Sequence, residues 1–228
     1  SRPPADDEGA ATTTMMMAAT RPSEAMPWTE AEVSTGTTIM AVAYEGGVIM
    51  GADSRVSTGT YVANRVSDKV TAIHDKIYMC RSGSAADTQA VSDYVRSYVA
   101  AHAIEGDRPP LVKTAATLCQ RICYQEKDRL LAGVIVAGYD PYKGGQVFVV
   151  PLGGTLQQVP FAIGGSGSTY IYGHVDHVYR PTMTKAECVD FVKTAVERAM
   201  ARDGSSGGII RIVAIDAAGV DREYITVS

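Results

Sequence analysis

The run from Gly36 to Ser54, GTTIMAVAYEGGVIMGADS, decides how the chain is read. Thr38–Tyr44 and Val48–Ser54 are β-rich, and the link between them, Glu45-Gly46-Gly47, is short and carries glycine. Two such runs joined in this way predict a β-hairpin. The texture before the hairpin is different. Residues 1–36 are rich in Thr, Met, Ala, Pro and acids, follow neither a period of 2 nor one of 3.6, and hold Arg2 and Arg21 against Asp6, Asp7, Glu8, Glu24, Glu30 and Glu32. This composition predicts a disordered or removable leader over 1–36, with residues 1–30 packing poorly, ahead of a single domain over 37–228.

Downstream, Lys69–His74 and Ile77–Ser82 repeat the hairpin pattern around Asp75-Lys76. Ser84 opens a helix with Asp87 completing a capping box, and Val91, Tyr94, Val95, Tyr98 and Val99 are its expected apolar stripe. After Pro109-Pro110 the stripe Leu111, Ala115, Leu118, Ile122 predicts a second helix, with Cys119 and Cys123 packed in it. Strands are expected at Val134–Gly138, Gln146–Val150 and Leu156–Ile163, then a short helix over Ser168–Val178. A further helix runs from Thr184, boxed by Glu187, to about Arg202, and strands Ile209–Ile215 and Arg222–Val227 close the chain. Runs of like elements, instead of βα alternation, predict an α+β fold with antiparallel sheets. Two sheets face to face with a helix pair outside each, four layers in all, would bury both strand groups.

The composition sets limits on function. With 228 residues, 46% hydrophobic and 20% charged, the chain can bury a sizeable core. Its formal charge of −4 falls on the leader, so no clustered basic footprint for nucleic acid is expected. The apolar run Met15–Ala19 is far short of the ~20 residues of a membrane span, and the six leader acids argue against a transit peptide. Four cysteines (Cys80, Cys119, Cys123, Cys188) without a CxxC read as buried thiols of a reducing compartment, cytoplasm or nucleus.

Three motifs fail on context. Gly204-Ser205-Ser206-Gly207-Gly208 spells GxSxG, but a helix precedes it, a strand follows it, and no His occurs after His177. Gly164-Gly165-Ser166-Gly167-Ser168 fits neither phosphate-loop pattern. His174 and His177 have no further metal ligand at a suitable spacing. What remains is Gly36-Thr37-Thr38, where leader becomes strand. Cutting the Gly36–Thr37 bond would give Thr37 an α-amine with a reference pKa of ~7.7–8.0, a usable base a few bonds from its own hydroxyl.

From Gly36 onward the chain resembles the catalytic beta subunits of the 20S proteasome, of the N-terminal nucleophile hydrolase superfamily, and is nearest to the caspase-like, beta-1 class. The residues that carry the resemblance are Gly36-Thr37-Thr38-Ile39, Gly51-Ala52-Asp53-Ser54-Arg55, Ser67-Asp68-Lys69, Cys80 to Asp87, Gly164 to Ser168 and Arg202 to Gly208. It implies Thr37 as nucleophile, Asp53 and Lys69 as its partners, the Gly83 N–H as oxyanion donor, and Ser166, Asp203 and Ser206 as a supporting network. It also implies Arg55 and Arg81 as substrate-binding residues, the latter favouring cleavage after acidic residues, and self-cleavage at Gly36–Thr37. No metal or organic cofactor is implied. The implied partners are other beta subunits, an alpha-subunit ring, regulatory caps and protein or peptide substrates, without nucleic acid or membrane.

These roles make physical sense. A charged Lys69 beside the Thr37 ammonium would lower the amine pKa, while Asp53 compensates the lysine. In an extended segment residues two apart face one side, so Arg81 should point to the cavity that Gly83 lines. In the uncut chain, Thr37 Oγ should lie near Lys69 and Asp53, and the Gly36 carbonyl near Thr37 Oγ and the Gly83 N–H. Two alternatives stay open, a non-catalytic ring subunit and a simpler homo-oligomeric protease of the same superfamily.

Overall fold

A computed structural model of the chain describes residues 35–58 and 60–226. The leader, apart from Thr35 and Gly36, lies outside the described residues, as does Val227 of the last expected strand.

The opening hairpin forms as its sequence predicts. Strand β1 (Ile39–Tyr44) pairs antiparallel with β2 (Gly47–Ala52), Ile39 opposite Ala52 and Tyr44 opposite Gly47. Side chains alternate along each strand. Ile39, Ala41, Val48, Met50 and Ala52 face one core, while Met40, Val42 and Ile49 face another. Both faces are therefore covered, which is why the two strands read as nearly unbroken apolar runs.

The chain continues through β3 (Val56–Thr58), β4 (Tyr61–Asn64), β5 (Val70–His74) and β6 (Ile77–Gly83), then helices α1 (Ala85–Gly106) and α2 (Val112–Gln125). Strands β7 (Ala132–Asp140), β8 (Gly144–Val150), β9 (Gln157–Val159) and β10 (Phe161–Gly164) follow. A 3-10 turn (Ser166–Tyr170) leads into α3 (Tyr172–Val178) and α4 (Lys185–Arg202), and β11 (Ile209–Asp216) and β12 (Val220–Thr226) end the fold. The first sheet has the order β10-β1-β2-β11-β12 and the second β5-β6-β7-β8-β9, all antiparallel. Their inner faces share one core, in which Met50 and Val213 of the first sheet are joined by Cys80, Ile135 and Val147 of the second. Helices α3 and α4 cover the outside of the first sheet, and α1 and α2 the outside of the second. This is the four-layer α+β sandwich that the element order predicts.

The local readings are corrected in four places. The strand expected over Leu156–Ile163 is two strands in different sheets, β9 on β8 and β10 on β1. They part at Pro160, which has no N–H to donate and whose carbonyl accepts from Ala43 N at 2.8 Å. In α1 the buried line is Thr88, Val91, Ser92, Val95 and Val99, whereas Tyr94 and Tyr98 of the expected stripe are 61% and 58% exposed. In α2, Leu111 only caps the start and is exposed, and Val112, Ala115, Ala116, Cys119 and Cys123 make the core contact. Finally, Ser84 caps α1 by accepting from Asp87 N at 3.3 Å, but the Asp87 carboxylate takes the Leu131 N–H at 3.0 Å, so the box is only half formed. The Thr184–Glu187 box of α4 is complete. All four cysteines are free and buried.

Candidate active site

Five chain segments that lie far apart in sequence meet at one end of the sandwich. Thr37 immediately precedes β1, Asp53 follows β2, Lys69 precedes β5, Ser166 follows β10, and Asp203 and Ser206 lie in the turn between α4 and β11. Thr37 is 2% exposed, Asp53 0%, Lys69 4% and Ser206 1%. A polar group buried this deeply must find partners, and these do.

The Asp53 carboxylate has four. Its Oδ1 accepts from Lys69 Nζ at 2.7 Å and Thr38 N at 2.8 Å, and its Oδ2 from Gly207 N at 3.0 Å and Arg55 N at 3.1 Å. Three backbone donors hold the charge in place, so Lys69 is not needed to orient it and keeps donors free for the site. Lys69 Nζ donates a second hydrogen bond, at 2.9 Å, to the Gly36 carbonyl. Burial lowers the Lys69 pKa from its ordinary value, against the opposing pull of Asp53. Thr37 Oγ1 lies 2.7 Å from the same Gly36 oxygen, with the Thr35 carbonyl at 3.2 Å.

A second arm holds the Thr37 nitrogen, which donates to Ser166 Oγ at 3.1 Å. Ser166 Oγ in turn donates to Asp203 Oδ2 at 2.7 Å, and Ser206 Oγ donates to that same oxygen at 2.6 Å. The Ser205 N–H meets Asp203 Oδ1 at 3.0 Å. Burial alone would raise the Asp203 pKa, but the hydrogen bonds from Ser206, Ser166 and Ser205 together hold it below the usual carboxylate value. Gly36 fits because it has no side chain. A Cβ there would run into the side chain and carbonyl of Ser205.

Gly83 engages the leader through its carbonyl, which accepts Thr35 N at 3.3 Å and Thr35 Oγ1 at 2.9 Å across an antiparallel bridge. Among the described residues, the donors on the Gly36 carbonyl are thus Lys69 and Thr37, where the Gly83 N–H was expected. The reason is the pairing of Thr35 with Gly83, after which the chain turns its next carbonyl toward Lys69. Arg81 lies on β6 two residues before Gly83, and both line a cavity of about 20 Å³ with Thr35, Thr37 and Lys69. Arg81 Nη2 donates to the Asp68 carbonyl at 2.9 Å, and its buried Nε has no partner. Burial lowers the Arg81 pKa from its ordinary value. On the other side of the Thr35–Gly83 bridge a cavity of about 380 Å³ is bounded by Ser166, Leu131, Val150 and Leu152. Arg55 lines neither cavity. Its guanidinium lies against Gly207 and donates to the Gly204 carbonyl at 3.0 Å, and only its backbone N–H reaches the site.

Of the motifs set aside in the sequence, the histidine pair stands elsewhere, while Ser166 and Ser206 of the two Gly-rich motifs belong to the site. His174 Nδ1 meets Arg198 Nη1 at 3.1 Å on the outer helix layer, a cationic neighbour that a metal ligand would not keep. Ser205 and Ser206 serve the Asp203 turn, with a helix before them and a strand after. Two contributors escaped sequence reading: Thr38, which bonds to Asp53 and Ser206, and the Gly207 N–H. Nothing in local pattern distinguishes a strand-start Thr that packs from one that bridges two carboxylate arms.

Chemically, the arrangement sets a hydroxyl and a cation on one peptide carbonyl. The Thr37 nitrogen is still an amide and cannot act as a base. Its Ser166 partner, however, is already in contact.

A family model described as "Proteasome subunit" matches residues 33–215. The chain is 58% identical over 202 residues to proteasome subunit beta type-6 of Dictyostelium discoideum, covering 89% of this chain and 94% of that protein. It is 53% identical over 193 residues to proteasome subunit beta type-1 of Saccharomyces cerevisiae, covering 85% and 89%. It is 54% identical over 194 residues to proteasome subunit beta type-9 of Homo sapiens, covering 85% and 88%.

Proposed function

Since the chain belongs to the proteasome beta-subunit family, we propose that it is a threonine endopeptidase, made as a precursor and activated by its own cleavage at Gly36–Thr37. One observation carries this reading. Lys69 Nζ stands between Asp53 and the Gly36 carbonyl, at 2.7 and 2.9 Å, while Thr37 Oγ1 is 2.7 Å from that carbonyl oxygen. A ring subunit serving only as scaffold would have no use for a buried cation on a leader carbonyl, because burying an ion pair is costly unless it does something besides stabilise.

In activation, Thr37 Oγ bonds to the Gly36 carbonyl carbon while Lys69 Nζ stabilises the charge growing on the oxygen. The C–N bond breaks, the hydroxyl proton ends on the Thr37 nitrogen, and an ester remains. Water hydrolyses it to a Gly36 carboxylate and a free Thr37 hydroxyl. In turnover the new amine, held by Ser166, takes the Oγ proton as Oγ attacks a substrate carbonyl and passes it to the leaving amine; water, deprotonated by the same amine, then hydrolyses the acyl ester and restores the Thr37 hydroxyl. The Gly83 N–H is the proposed donor to the substrate oxyanion. Arg81, which lines the smaller cavity and whose buried Nε has no partner, is the proposed seat of an acidic side chain before the scissile bond.

The proposed partners are the other beta subunits, an alpha ring and regulatory caps, and the proposed compartments are cytoplasm and nucleus, where free thiols such as its four persist. The test is N-terminal peptide mass spectrometry and fluorogenic peptide hydrolysis on the assembled particle. We expect a mature N-terminus at Thr37, faster cleavage after Glu and Asp than after Leu or Tyr, and loss of both activities in Thr37→Ala. A mature terminus elsewhere, or turnover that survives Thr37→Ala, overturns the reading.

A further inference from the structure

Thr38 bridges the two arms of the site. Its side chain is fully buried. Its N–H donates to Asp53 Oδ1 at 2.8 Å and its carbonyl accepts from Asp53 N at 3.1 Å, which ties it to the Lys69 arm. Its Oγ1 lies 2.8 Å from Ser206 Oγ, which ties it to the Asp203 arm.

The direction of that last bond follows from counting protons. The Asp203 carboxylate has none to give, so both serines on its Oδ2 must donate. Each hydroxyl has one proton. Ser206 has spent its own on Asp203, so in its contact with Thr38 it accepts, and Thr38 donates. By the same count Ser166 accepts from the Thr37 nitrogen. The result is one ordered chain, from the Thr38 hydroxyl through Ser206 to Asp203, which Ser166 joins from the nucleophile's side. The backbone leaves room for it: Gly167, whose N–H donates to the Thr37 carbonyl at 3.0 Å, is a residue on which a Cβ would collide with Thr38 Oγ1.

We propose that Thr38 is a positioning residue of the peptidase site, whose hydroxyl donates to Ser206 and holds it in place on Asp203, and so steadies the carboxylate from which Ser166 turns its lone pair to the Thr37 nitrogen. The inference rests on the threonine-peptidase reading. The strand itself would be served as well by valine, which has the same branching. Only the proton chain needs the hydroxyl. Thr38 lines neither cavity.

The test compares Thr38→Val, Thr38→Ser, Thr37→Ala and the unaltered chain in the assembled particle. Thr38→Val, which keeps shape and loses the donor, should lower kcat about five- to tenfold, the worth of one hydrogen bond, with KM within about twofold. Thr38→Ser, which keeps the donor and loses a methyl, should restore kcat. Should Thr38→Val fail to assemble, Thr38→Cys, unbranched like Thr38→Ser but a poor donor, should show the same loss of kcat relative to Thr38→Ser. An unchanged kcat in Thr38→Val, an equal loss in Thr38→Ser, or a change confined to KM overturns the proposal. Activity that persists in Thr37→Ala overturns instead the peptidase reading on which it rests.

Discussion

The two sheets bring different kinds of residue to the site. The first supplies Thr37, Asp53 and Ser166 from its strand ends and Asp203 and Ser206 from the turn before β11, all short side chains, and all but Thr37 anchored by backbone N–H groups or by one another. The second supplies Lys69, Arg81 and Gly83, two long cations and a strand edge. Short, multiply bonded groups suit the nucleophile proposed at Thr37, because they have little rotamer freedom to lose. Long cations can reach across to a carbonyl or a substrate and answer to its charge. The buried Asp53–Lys69 pair is where the two meet, and the division of labour predicts what each sheet's residues should cost when altered.

The largest effect should come from cutting that cross-sheet pair. Lys69→Ala leaves the Asp53 charge buried, and it should lose self-cleavage and about 3–5 kcal/mol of stability in urea unfolding. Asp53→Asn combined with Lys69→Met should recover most of the stability and none of the activity. A single variant that unfolds like the parent would show that the sheets are not tied at this point.

Arg81→Leu removes a cation but no anchor. It should reduce cleavage after Glu or Asp by about 10–100-fold, the range of one charge-assisted hydrogen bond, while self-cleavage at Gly36 is unaffected. Equal rates for acidic and apolar peptides in the unaltered particle would remove Arg81 from this role.

On the first sheet, Asp203→Asn should cost about 1–3 kcal/mol at neutral pH by weakening its hydrogen bonds. The folded pKa of Asp203 lies below its ordinary value, so the unfolded chain binds the proton more tightly. The contribution is therefore full above about pH 4 and is lost as the pH falls through the folded pKa. Parent and variant stability curves should converge in acid, and a gap that persists below that range would contradict the assignment.

The effect confined to the narrowest step is expected at Gly36→Ala, where the new methyl would overlap the side chain and backbone of Ser205. Self-cleavage should slow by at least about tenfold, because Ser205 or the leader must shift, and particles that have completed it should turn over peptides normally. Equal processing rates followed by mass would show that Ser205 yields.

Much of this was legible in the sequence. Hairpins with a short glycine-bearing or polar link, a complete capping box at Thr184, and the change of texture ahead of Thr38 are local signals, since strand period and caps depend on neighbours within a few residues. The order of elements then implied the four layers. The chemistry proposed at Thr37 was suggested by the sequence because one bond cleavage would change an amide into an amine, whatever the fold.

Tertiary structure decided the rest. Pro160 divides one apolar run between two sheets, Asp87 leaves its own helix cap for Leu131, and Tyr94 and Tyr98 face outward although they fall in the expected stripe. Each outcome depends on a partner that is distant in sequence and near in space. The same holds within the site. Thr37 N and Ser166 Oγ are 129 positions apart, and Thr38 and Ser206 are 168 apart. Such pairs form only after the sheets have stacked and buried the groups, when a polar atom with no partner becomes expensive. Sequence could place the proposed nucleophile and its cation in one chain, but only packing could bring the Gly36 carbonyl onto Lys69, turn the Arg55 guanidinium to the Gly204 carbonyl, and give Thr38 two carboxylate arms to join.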